Sequence, residues 1–344
     1  MGNSFPELTK KRITAGMNTH DIAALVIFAS FSALLYAPNL RVNVAQVFCG
    51  FNAMAAAWGT YFLSKRWINN WTPLLTAGAV YGFGPFALSF ETFHPLAGLS
   101  FAMVPWLFLP AAYWHKGKSP DAYRFCIRAL LTLLPFAGIV LLFWIPSQQW
   151  AGPLFLMPKE LSMTVGDLQN VILPLRNSGG VVVVGLYHCP LICALMGVFV
   201  YIKLQRIALL IPIAAGLILS FWEPVFQVTP IVWTAFPILF LSILCGLGFQ
   251  AFLWAGKADT KWIVICAAAA TALAAFCAGI MITPFAGRVF ELTALLYGLA
   301  AAALWILLAM IRLKLRWPWF KWAILTAAIT IDLLFSARYM IDKF

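Results

Sequence analysis

The stretch KADTKWIVICAAAATALAAFCAGIMITPFAGRVFELTALLYGLAAAALWILLAMIRLKLRW, residues 257–317, holds two apolar runs with one short break between them. Each run has the length of about 20 residues that a helix needs to cross a bilayer. Lys257 and Lys261 precede the first run, Arg312, Lys314 and Arg316 follow the second, and Arg288 stands alone at the break. Basic residues gather on the cytoplasmic side of a membrane protein. The stretch therefore reads as a helical hairpin that leaves the cytoplasm and returns to it.

The same pattern extends through the rest of the chain. Of 344 residues, 63% are hydrophobic and 10% charged, well short of the roughly 25% charge of a soluble domain. Eleven apolar segments are predicted as helices: 21–38, 43–63, 73–90, 95–114, 127–146, 181–202, 205–221, 230–254, 262–282, 292–311 and 319–336. The fold class is an all-α, polytopic transmembrane bundle of about eleven spans. Gly and Pro within 73–90 and 95–114 predict kinked or partly re-entrant helices. The Ala-rich run at 266–279 suits close helix packing in lipid.

Charge orients the bundle. With the N-terminus in the cytoplasm, seventeen Lys and Arg residues fall inside. They cluster at Lys10–Arg12, Lys65–Arg66, Lys116–Arg128, Lys203–Arg206, Lys257–Lys261 and Arg312–Lys321. Six fall outside: Arg41, Lys159, Arg176, Arg288, Arg338 and Lys343. The short clusters between apolar spans are those of cytoplasmic loops, which argues against nucleic acid as the partner of a chain with net charge +12. Tryptophans near both ends of the spans fit the two interfaces, with Trp144, Trp150, Trp222 and Trp233 on the outer side. The reading is a multi-pass protein of a bacterial-type cytoplasmic (inner) membrane. It divides into a cytoplasmic tail (1–20), five spans (21–146), an outer loop (147–180), six spans (181–336) and an outer tail (337–344).

The outer loop is long, and long loops are often functional. Within it, MTVGDLQNVILP places Val165, Leu168, Val171 and Ile172 on one helical face, predicting a short amphipathic helix on the outer membrane surface, ended by Pro174. A cap over the bundle is the structural alternative.

Ionisable groups near a membrane are costly, so each asks for a reason. Glu91 and His94 lie in SFETFHP, where Glu-x-x-His spacing can offer two groups to a substrate or a divalent cation. Glu223, Arg288, Glu291, Arg176 and His188 fall on the same outer side. Together they would hold a charged headgroup, carboxylates serving as bases or metal ligands and arginines meeting phosphate. Ordinary interfacial loop residues are the alternative. HCPLIC, 188–193, reads as a packed helix distorted by Pro190, and Asp332 as a contact to Arg338 or to a neighbouring helix. The seven cysteines form no CxxC and read as buried apolar groups. No haem, nucleotide or flavin motif is present.

Residues 43–114 resemble the multispanning C-type glycosyltransferases that use polyprenyl-phosphate sugars. The likeness rests on WGTYFLSKRW (58–67), AGAVYGFGPF (77–86), ETFHP (91–95) and MVPWLFLP (103–110), with VGDLQNVILP (165–174) further on. It implies transfer of a sugar from a lipid carrier on the extracytoplasmic face, with membrane lipids and a polyprenyl-phosphate carrier as partners. The chain departs from that class at its first outer loop. There the class carries its catalytic acid, whereas this chain has NLRV, 39–42. Glu91 would have to take over that role. The second reading is a non-catalytic accessory subunit packed against other membrane subunits.

Overall fold

The structure, a computed structural model, describes residues 18–36, 45–91, 95–114, 121–149, 157–158, 160–175, 182–203, 210–225, 228–281, 288–315 and 317–342. Among these the chain is helical, without a named strand. The first six helices are α1 (Thr19–Tyr36), α2 (Ala45–Ser64), α3 (Trp71–Gly82), α4 (Pro85–Glu91), α5 (Pro95–Tyr113) and α6 (Asp121–Gln149). A single helical turn, α7 (Gln169–Ile172), continues a 3-10 turn at Val165–Leu168. Then come α8 (His188–Lys203), α9 (Leu210–Phe221), α10 (Ala235–Trp254), α11 (Thr260–Ile280), α12 (Arg288–Arg312) and α13 (Pro318–Ile341). Every apolar segment read from the sequence contains one of these helices. Seven helical stretches are long and apolar enough to cross a membrane.

Burial sorts them into centre and rim. The stretch ending in α10 is 94% buried and the α3–α4 stretch 89%, whereas the α11 stretch is only 28% buried. A helix apolar on every side is stable only when surrounded by protein or lipid. Here α10 and α3–α4 are surrounded by protein, and α11 lays most of its surface toward lipid.

Small residues set the central contacts, since in lipid it is close packing and not expulsion of water that joins helices. A Cβ on Gly248 would strike the Cys193 carbonyl, and one on Gly197 the Leu244 carbonyl, so α8 and α10 touch backbone to backbone. Gly78 and Gly82 likewise bring α3 close to the carbonyls of Ala57 and Ala53 on α2. On α5, Trp106 Nε1 donates to the Ala55 carbonyl (3.0 Å) and Tyr113 Oη to the Phe62 carbonyl (2.6 Å), joining it to α2. The Ala-rich α11 packs Ala267 and Ala270 inward against α12, and Trp305 of α12 donates to Thr271 (3.1 Å).

Three local readings are sharpened. The 73–90 segment is broken at Phe83–Gly84 into α3 and α4, whereas Pro105 and Pro110 lie inside a continuous α5. The sixth segment starts as a helix at His188, not at 181; residues 182–187 are irregular and buried. Irregular backbone at membrane depth survives only where protein covers it and completes its hydrogen bonds. Here Val183 N–H donates to Ser89 Oγ on α4 (3.0 Å). Trp233, expected near the outer interface, is 2% exposed and packs beside the stacked Phe136–Phe236 pair, its ring nearly parallel to both.

Candidate functional site

Glu91 ends α4 and is 4% exposed. Tyr36, at the end of α1, donates its hydroxyl to Oε2 (2.9 Å). The Cys49 thiol on α2 reaches the Glu91 carbonyl (3.7 Å). Gly98 opens the space beside them: a Cβ there would lie 2.8 Å from Asn52 Nδ2 and 2.9 Å from Glu91 Cγ. Glu91 Oε1 has no hydrogen-bond partner among the described residues. His94, its predicted companion, lies outside the described residues.

A second polar cluster is buried between α8 and α13. His188 Nδ1 lies 3.0 Å from Asp332 Oδ1, and both side chains are fully buried. Ser336 Oγ donates to Oδ1 (2.9 Å) and the Cys189 backbone N–H to Oδ2 (2.6 Å). Asp332 lies fourteen residues into α13, about 21 Å along its axis at 1.5 Å per residue, so well within a bilayer of about 30 Å. The sequence offered Arg338 as its partner. Arg338 instead pairs with Asp342 (3.0 Å), one turn away on its own helix. Asp332 faces His188 because α8 and α13 pack together.

The His188 ring meets the Tyr297 ring of α12 at 90°, centroids 4.9 Å apart. Tyr297 Oη donates to the Ile172 carbonyl of α7 (2.7 Å). Gly185 lets that segment approach, since a Cβ there would fall 2.7 Å from the Asn170 carbonyl. Residues 165–172 thus cover this end of the bundle. Their polarity is turned inside out: Val165, Leu168 and Ile172 are exposed, while Asn170 is the one buried side chain. Such a face suits contact with lipid. Asp167 holds the turn by accepting from the Thr164 N–H and hydroxyl (both 2.7 Å).

Tyr187, the residue before His188, is fully buried just ahead of the start of α8. Among the described residues, the Tyr187 hydroxyl, His188 Nε2, Asn170 Oδ1 and Thr293 Oγ1 are all buried without a hydrogen-bond partner, as is Glu91 Oε1. Thr293 lies one turn before Tyr297 on α12. A polar group buried unpaired costs about 1–3 kcal/mol, so several at one end of a bundle call for an explanation.

Of the residues predicted from sequence, Glu91 lies in the first cluster and His188 in the second. Glu223, Arg288 and Glu291 are exposed, and none bonds to Glu91 or His188 among the described residues. Arg176 lies outside the described residues. Among the described residues no three His, Cys, Asp or Glu side chains come together as metal ligands would. Tyr36, Asn170, Tyr187, Thr293 and Asp332 were not singled out as site residues from sequence. For Asp332 a signal existed, because an acid within an apolar span needs a buried partner.

At the opposite end, Asp21 of α1 accepts from Tyr61 Oη (2.9 Å) and pairs with Lys65 of α2. Trp71 Nε1 donates to the His20 carbonyl (3.1 Å), so this cluster ties α1 to α2 and α3. Comparison with known proteins returns no matching family model, no matching curated protein and no matching solved structure.

Proposed function

We propose that this chain spans a cytoplasmic membrane of bacterial type eleven times, N-terminus inside, and binds the polar head of a lipid-linked sugar at its outer end. Glu91 there takes the role of the acid missing from the first outer loop. Its carboxylate accepts the proton of an acceptor hydroxyl as that oxygen bonds to the anomeric carbon of the sugar, while the bond from that carbon to the carrier phosphate oxygen breaks and the polyprenyl phosphate leaves with the electron pair. The observation that carries the reading is the Glu91 carboxylate itself, buried, with one oxygen held by Tyr36 and the other unpartnered among the described residues. An oriented carboxylate with an uncommitted oxygen has the form a general base requires. The resemblance to the C-type glycosyltransferases includes the segment that holds this residue, ETFHP (91–95).

The test is sugar transfer from a polyprenyl-phosphate sugar by the purified chain in lipid. Glu91→Gln keeps the shape and the Tyr36 contact, and should lower turnover by about 10²–10⁴-fold without lowering the melting temperature. His94→Ala belongs to the same series. Full turnover in both variants would sink the reading.

One observation favours an accessory subunit. The hydrogen bonds to Asp332 also lock α13 to α8, as a scaffold needs. Native mass measurement after gentle extraction separates the two, because a stable monomer with no co-purifying chain counts against a subunit.

A further inference from the structure

The His188–Asp332 pair is not needed by the reading above, and its surroundings are chemically distinctive. Asp332 faces Nδ1, so the proton of the imidazole belongs on Nδ1 and Nε2 is left as an acceptor. Nε2 is fully buried and, among the described residues, unpartnered. The nearby uncommitted groups are neutral: the Asn170 amide oxygen, the Tyr187 phenol and the Thr293 hydroxyl. A phosphate or sulfate would call for Arg or Lys. Among the described residues at this end, Arg288 is exposed and Arg338 is engaged by Asp342. Neutral donors and acceptors in one buried cluster suit hydroxyl groups. The small cavity lined by Cys189, Cys193, Phe252, Ala300, Leu304 and Ala328 is apolar and does not suit a polar group.

We propose that His188 Nε2, Asn170, Tyr187 and Thr293 form a subsite for an uncharged, hydroxyl-rich headgroup, with Asp332 holding His188 as a hydrogen-bond acceptor. Resting on the function proposed above, the headgroup is the sugar of the lipid-linked donor. The apolar outer face of 165–172 places this subsite beside lipid, where such a headgroup arrives on its chain.

The experiment uses the full chain, ¹⁵N-labelled at histidine, in lipid nanodiscs. Imidazole nitrogen resonances report where each proton sits. The wild type should show His188 with a proton on Nδ1 and a bare Nε2, and Asp332→Asn should move that proton to Nε2. Decyl glycosides of glucose, mannose and N-acetylglucosamine are then titrated, with decyl phosphate as the comparison. At least one glycoside should shift the Nε2 resonance saturably, and decyl phosphate should not. Thr293→Val, which preserves shape, should weaken that binding about threefold to tenfold, and Asp332→Asn about tenfold or more. A protonated Nε2 in the wild type overturns the proposal. So does the absence of a saturable shift with every glycoside, or an equal shift with decyl phosphate. The Glu91→Gln transfer assay is separate. A glycoside shift without a Glu91 effect keeps the subsite and removes the transfer reading, and the converse removes the subsite alone.

Discussion

Three acids illustrate what a single residue can and cannot announce. Asp21, Glu91 and Asp332 each lie in or at the edge of an apolar helix, and each is buried. The cost of burying a carboxylate implies a partner for every one of them. The sequence named Glu91 as a candidate because His94 follows at helical spacing. It left Asp332 as a packing contact because its partner, His188, lies 144 residues away. Asp21 is the structural member of the three. Lys65 is 20% exposed, so water reaches that pair from the membrane edge. Asp21→Ala should therefore cost roughly 2 kcal/mol, less than the 3–5 kcal/mol of breaking a fully buried pair. Pairing it with Lys65→Met should recover part of the loss. Denaturant titration of the chain in mixed micelles measures both. A wild-type midpoint for Asp21→Ala would show that the pair contributes nothing.

Among the elements, helical periodicity and apolarity were legible, while the breaks were legible only in part. Gly and Pro in the third segment announced a disruption, and the chain breaks at Phe83–Gly84. The same residue types in α5 announced one that does not interrupt the helix, because Pro105 and Pro110 are accommodated within it. The late start of α8 had no such signal. VVVGLY, 182–187, is as apolar as a helix interior, and it stays irregular because α4 and the 165–172 segment pack on it. The sharpest requirement on an element falls on α8 and α10, where Gly248 meets a carbonyl and not a flexible side chain. Gly248→Ala should push these helices apart and cost about 1–3 kcal/mol, the usual penalty of overpacking. Gly279 has open space around it, so Gly279→Ala is the control and should leave stability near wild type. Equal midpoints for the two variants would refute the close approach.

For the whole molecule, the orientation is a prediction of its own. Gln169 is exposed on the covering segment and Ala258 on the short turn before α11. In a cysteine-free background, Gln169→Cys should react with an impermeant maleimide in intact cells. Ala258→Cys should react only after permeabilisation. The reverse pattern would invert the bundle and move the Glu91 site to the cytoplasmic side. The eleven apolar segments and their charge bias were settled by the sequence alone, because the cost of moving a segment into lipid is a sum over its own residues. Which polar groups meet was decided only by the tertiary structure. Tyr36 reaches Glu91 across 55 residues and His188 reaches Asp332 across 144, and nothing local encodes either distance. Hydrogen bonds act over about 3 Å, so their partners are chosen by how the helices pack and not by the order of the chain.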